Sequence, residues 1–151
     1  MKHKKALIIG IDGVPRGLLQ SMVDGGVMPC VASLLGGGYG LHTMKASLPE
    51  VSSVSWTSFM TGENPGVHGI FGFTELKPQS YRLAFPNSLS VKAPTFWNKL
   101  RQEGKISRSV ILNVPHTYPA LPLDGMLVSG FVAIDFAKAV YPPSYVPLLK
   151  G

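Results

Sequence analysis

The chain has one cysteine, Cys30, so it cannot form an internal disulfide; that is compatible with a reducing compartment. It is also poor in acid, with eight acidic residues against fourteen basic ones and a formal charge of +6. The positive charge is not gathered. Lys2, Lys4 and Lys5 form a small N-terminal cluster and the others are scattered, whereas a nucleic-acid binder more often shows a basic patch interleaved with aromatics. The charge is therefore read as a solvated surface that helps attract an anionic substrate, with no nucleic acid as a specific partner. Long apolar runs are missing as well. Ala6 to Ile11 is too short for a secretory hydrophobic region, and nothing approaches the roughly 20 apolar residues of a membrane span. The expectation is a soluble cytoplasmic protein with no membrane partner. No two of the four histidines have the spacing of a zinc pair. Gly36-Gly37-Gly38-Tyr39-Gly40 lacks the spacing and the Lys-Ser or Lys-Thr of a phosphate-binding loop. Gly10 to Gly13 is too short for a dinucleotide fingerprint.

What is present suits a globular α/β chain. At 151 residues, 45% hydrophobic and 15% charged, it has the length of one domain with a sizeable core. Lys5 to Ile11 is a continuous apolar run closed by Asp12-Gly13, the pattern of a central strand in a parallel sheet covered on both faces. Helical spacing follows Pro15 through Leu18, Leu19, Met22 and Val23 and stops at Gly25-Gly26. A second short helix opens at Pro29, and Tyr39 to Ala46 alternates loosely as a further strand. A third helix runs from about Ser53 to Met60, with Gly62 just past its end and Pro65 blocking its continuation. Residues 74 to 95 read as a loop over the sheet. Phe96 to Gln102 is a short amphipathic helix, Ser109 to Val114 and Met126 to Phe131 are strands, and the tail from Ala133 is broken by Tyr141-Pro142-Pro143. The predicted class is α/β with a mainly parallel sheet flanked by helices, in one domain spanning 1–151.

Two positions stand out chemically. Asp12 ends the first strand, where open α/β sheets place ligands; it is either a metal ligand or the cap of the next helix. Ser52 lies at the head of an apolar helix crowded with hydroxyls: Ser52, Ser53, Ser55, Thr57, Ser58 and Thr61. Free N–H groups and the positive dipole end there favour an anion or a serine alkoxide, and equally allow an N-cap serine, with Ser53 the alternative for either role. His68, in a Pro-Gly-x-His-Gly loop, is read as a structural hydrogen-bonder to backbone. His116 and Asn113, near a strand end, are candidates to face the site, and Cys30 is read as core rather than nucleophile.

The ordered segments resemble the N-terminal part of the type I phosphodiesterase/nucleotide pyrophosphatase family of the alkaline phosphatase superfamily. They are Ile8-Ile9-Gly10-Ile11-Asp12-Gly13, Gly26-Val27-Met28-Pro29 with Leu34-Leu35, Pro49 through Thr61-Gly62, and Asn64-Pro65-Gly66-Val67-His68-Gly69-Ile70. Asn113-Val114-Pro115 with Thr117-Tyr118-Pro119, and Ser129-Gly130-Phe131, extend the likeness over nearly the whole chain. The resemblance implies an alkaline phosphatase-like fold and a phosphate ester or diester substrate. It implies two divalent metal ions, usually zinc, with Asp12 as a metal ligand and Ser52 as the nucleophile that also touches metal. Where nucleotide pyrophosphatases place a phosphate-holding asparagine three residues after the nucleophile, this chain has Ser55. Ser55 and Asn113 are the substrate-contact candidates.

The family's remaining metal ligands are aspartates and histidines from later segments. After Ser52 this chain has only Asp124 and Asp135 as aspartates, neither in an Asp-x-x-x-His or Asp-His arrangement. The sequence is therefore expected to be truncated, holding half of a bimetal site. It is either the nucleophile-bearing part of a phosphodiesterase or a catalytically inert module that binds phosphoryl ligands or a partner. A sheet cut short leaves an apolar edge, which a homodimer or a missing C-terminal half would cover.

Overall fold

The computed structural model of the protein describes residues 5–150. The chain divides into two compact units, one ending at Lys45 and the other beginning at Ala46.

The first unit holds two helices, α1 (Arg16–Asp24) and α2 (Pro29–Gly36). Pro15 takes the N-cap position of α1, and Pro29 opens α2, where its missing N–H costs no helical bond. Between them the N–H groups of Val27 and Met28 turn back to the Met22 carbonyl, at 2.9 and 3.2 Å. Gly26 takes the left-handed conformation that this reversal needs (φ +71°). No single helix among the described residues is long and apolar enough to cross a membrane.

Two expected strands do not form here. Lys5 to Ile11 makes no ladder and lies in the open, with Leu7 85% and Ile9 75% exposed, and Tyr39 to Ala46 is likewise irregular. An apolar run becomes a buried strand only when neighbours pair its edges and elements cover its faces, and this unit offers two short helices. Cys30, expected in the core, is exposed on α2.

The second unit is built around α3 (Ser52–Thr61), followed by the single turn α4 (Pro65–His68). Residues 74 to 95 contain a two-stranded antiparallel hairpin, β1 (Glu75–Leu76) and β2 (Leu83–Ala84), and a short 3-10 turn at Ser88–Ser90. Then come α5 (Phe96–Gln102), β3 (Ser109–Val114), β4 (Gly125–Ser129), β5 (Val140–Tyr141) and α6 (Val146–Lys150). The sheet order is β3-β4-β5; β3 and β4 run parallel, β4 and β5 antiparallel. The sheet is thus mixed, not mainly parallel. The tail, read as broken, supplies the antiparallel edge strand.

The core gathers Val54 and Met60 of α3 with Ile70, Trp97 of α5, Leu127 of β4, Ala139 and Val140, each at most 5% exposed. An edge-to-face aromatic chain, Trp56–Phe59–Phe96–Trp97, joins α3 to α5 with centroids 5.0 to 5.7 Å apart. Each such pair contributes about 0.5–1.5 kcal/mol beyond its buried area.

At the carboxyl end of β3 the ladder slips between Leu112 and Val114, and Asn113 takes a left-handed conformation (φ +55°) that asparagine tolerates. Gly130 crosses this bulge so closely that an added Cβ would lie 2.6 Å from the Asn113 carbonyl oxygen. Gly62 differs: it has positive φ (+71°) and open space around it. Gly62→Ala should therefore cost only the left-handed penalty, about 1–2 kcal/mol. Gly130→Ala should cost more, because backbone on both strands must part. Urea unfolding of the two variants, compared at equal m, checks the order.

Candidate functional site

The sequence places an extended residue before α3 and hydroxyls in its first turn, and the geometry sorts these hydroxyls. Val51 (φ −124°, ψ 146°) occupies the N-cap position with no capping side chain, so neither Ser52 nor Ser53 is the N-cap. The Val51 carbonyl accepts from Val54 and Ser55 N–H at 3.1 and 3.0 Å. Ser52 is the first helical residue and is half-buried. No side chain closes the first turn of this ten-residue helix, so its orphan N–H groups and positive end are left for an anion. Ser55, also half-buried, lies three residues on and so on the Ser52 side of the helix. Ser53 is 1% exposed with its hydroxyl unpartnered, which removes it as an alternative nucleophile.

The remaining hydroxyls serve the helix. Thr57 and Thr61 are buried and donate back one turn, to the carbonyls of Ser53 (2.6 Å) and Thr57 (2.7 Å). Ser58 Oγ lies 3.0 Å from His68 Nε2, and the Ile70 N–H donates to His68 Nδ1 at 3.1 Å. The expectation of a backbone bond to His68 holds, while its bond to Ser58 was not legible. The helix C-terminus is closed by the Gly62 N–H to the Ser58 carbonyl (2.8 Å) and by Lys99 Nζ, which donates to the Thr61 carbonyl and to Glu63, each at 3.1 Å. Burial pushes His68 below the ordinary imidazole range, partly offset by Glu63. It does the same to His116, helped by His68.

Asn113 is exposed at the β3 bulge, at the carboxyl end of a parallel pair. His116 is buried, with positive φ (+66°) and its Nε2 without a partner. A cleft of about 280 Å³ is lined by Met60, Lys92, Trp97, His116 and Leu127 among others. It belongs to the opposite end of α3, since Met60 is about 12 Å along the axis from Ser52 at 1.5 Å per residue.

Asp12 is exposed in the turn with Gly13 (φ +69°), in the first unit. Among the described residues no three His, Cys, Asp or Glu side chains gather as a metal site. Asp12 has the chemistry of a ligand for a hard or borderline ion, but the donors present do not complete a metal centre.

An uncapped helix start in an α/β chain is a place where an anion can bind. The chain is a member of the type I phosphodiesterase / nucleotide pyrophosphatase family, whose sequence profile matches residues 6–147. The family has an alkaline phosphatase-like α/β fold, hydrolyses phosphoric esters and is generally metal-dependent. No curated protein and no solved structure matches the chain.

Ser53→Ala removes a buried, unpartnered hydroxyl and installs the best helix former. Thermal unfolding should show the variant unchanged or stabilised by up to about 1 kcal/mol; a loss of that size would mean the hydroxyl has a partner.

Proposed function

We propose that the protein hydrolyses phosphate esters or diesters through Ser52. The observation that carries this reading is the position of Ser52 as first residue of an uncapped helix, in a chain of this family. Ser52 Oγ attacks phosphorus and its proton passes through solvent to the leaving oxygen, whose bond to phosphorus breaks, so that a phosphoryl- or nucleotidyl-serine and a free alcohol or nucleotide form. Water then attacks the same phosphorus, restoring Ser52 and releasing the phosphate product. The first-turn N–H groups of α3 face the charge that develops on the phosphoryl oxygens. Asn113 and Ser55 serve as substrate contacts, and Ser55 in place of an asparagine leaves fewer donors for a nucleotide phosphate. Asp12 would be one ligand to a divalent ion, which would supply Lewis-acid polarisation of the phosphoryl oxygens; the described residues hold no complete ligand set for it.

The absence of three gathered ligands among the described residues favours a second reading of the isolated chain: it binds phosphoryl ligands without turning them over. The two are separated by assaying an activated aryl phosphate diester with zinc or manganese. Ser52→Ala should lower kcat by roughly 10³-fold or more while Ser53→Ala retains activity. Full turnover in Ser52→Ala would sink the assignment. Binding of an aryl phosphate without turnover by the wild-type chain would favour the second reading.

A further inference from the structure

We propose that His68 is a positioning residue that fixes helix α3 through a single neutral tautomer, so that loss of neutrality releases the helix. His68 is 0% exposed. A backbone N–H can only donate, so the Ile70 N–H at 3.1 Å requires His68 Nδ1 to carry no proton. The ring proton of the neutral imidazole is then on Nε2, and Nε2 donates to Ser58 Oγ at 3.0 Å. A serine and a histidine at this distance resemble a nucleophile and its base, but here the histidine is the donor and cannot take the serine proton. The backbone of His68 is committed too: its N–H donates to the Asn64 carbonyl and its carbonyl accepts from Lys92 N–H, each at 3.0 Å.

A proton on Nδ1 would set N–H against the Ile70 N–H and leave a charge in a buried site. The charged and titratable groups around it are few. Glu63 favours the cation but is shared with Lys99. The His116 ring is also nearby, its own charged form disfavoured by His68, and the Lys92 side chain lies over Gly69. Burial holds both histidines below their ordinary range. The folded state therefore keeps them neutral while the unfolded chain takes up protons near pH 6.5. The stability they contribute is full above that pH. It falls as pH drops toward the lowered folded values, by up to tenfold in the folding constant per pH unit for each ring.

Ser52 begins the helix that Ser58 anchors; relevance to turnover rests on the reading of Ser52, but the test does not. Ring ¹⁵N shifts of the intact chain at pH 7.5 should show His68 with an unprotonated Nδ1 and a protonated Nε2. A protonated Nδ1, or a charged ring, would overturn the proposal without any variant. Urea unfolding between pH 5 and 6.5 should then show fewer protons linked to unfolding, by a fraction of up to one, in His68→Asn and His68→Gln than in the wild type. Asn keeps an acceptor for Ile70 and Gln keeps a donor for Ser58, so Ser58→Ala should weaken His68→Gln further and leave His68→Asn nearly unchanged. An unchanged proton slope in both variants would also overturn it. Neither readout uses catalysis, so an inactive chain leaves the proposal standing or falling by itself.

Discussion

Helix α3 is held from its far end, and the rest of the second unit depends on that. Ser58 meets a buried histidine, Thr61 takes the Lys99 ammonium on its carbonyl, and Gly62 folds back to Ser58. The aromatic chain through Phe59, Phe96 and Trp97 locks the same half of the helix against α5. With one end fixed by hydrogen bonds and packing, the other commits the Val54 and Ser55 N–H groups to the Val51 carbonyl and has no capping side chain for those that precede them. The first turn, with Val51 rather than a polar residue at the N-cap, is left unsatisfied by side chains where a ligand can complete it. Stability and site are thus divided along one helix of ten residues.

The hydroxyls of this helix show how burial turns one residue type into several roles. Thr57 and Thr61 satisfy themselves against the preceding turn, which is cheap in a helix interior. Ser53 is enclosed without a partner. Ser52 and Ser55 stay half-buried on one side. The hydroxyl density read from the sequence is therefore only partly a sign of chemistry, and much of it is internal bookkeeping of the backbone.

Local signals in the sequence were legible where local physics decides. Helix α3, α5 and strand β3 fall within a residue or so of where capping, glycine stops and apolar runs place them. Non-local pairing was not legible. Lys5 to Ile11 has the composition of a buried strand, yet composition cannot supply the neighbours that make it one, and Leu7 and Ile9 are exposed. The tail from Ala133 carries prolines that argue against a helix, but nothing local announces that Val140–Tyr141 pairs with β4. Of the candidate site, Ser52 was singled out from its place at the head of an apolar helix, where the structure puts it as the first helical residue, and Asp12 from its place after an apolar run, where it lies in an exposed turn. The Ser58–His68 bond was hidden because the intervening Gly62 and Pro65 turn, not sequence spacing, brings the two together.

Membership of a phosphoric ester hydrolase family and an open helix start at Ser52 together make the central claim one about a covalent bond. The most direct measurement is acid quenching of the chain during turnover of an aryl phosphate ester with divalent metal, followed by peptide mass spectrometry. The account predicts one phosphoryl group on the peptide containing Ser52, at Ser52 and absent from Ser52→Ala. A phosphoryl group on a different residue, or steady turnover with Ser52 unmodified at every quench time, would contradict it.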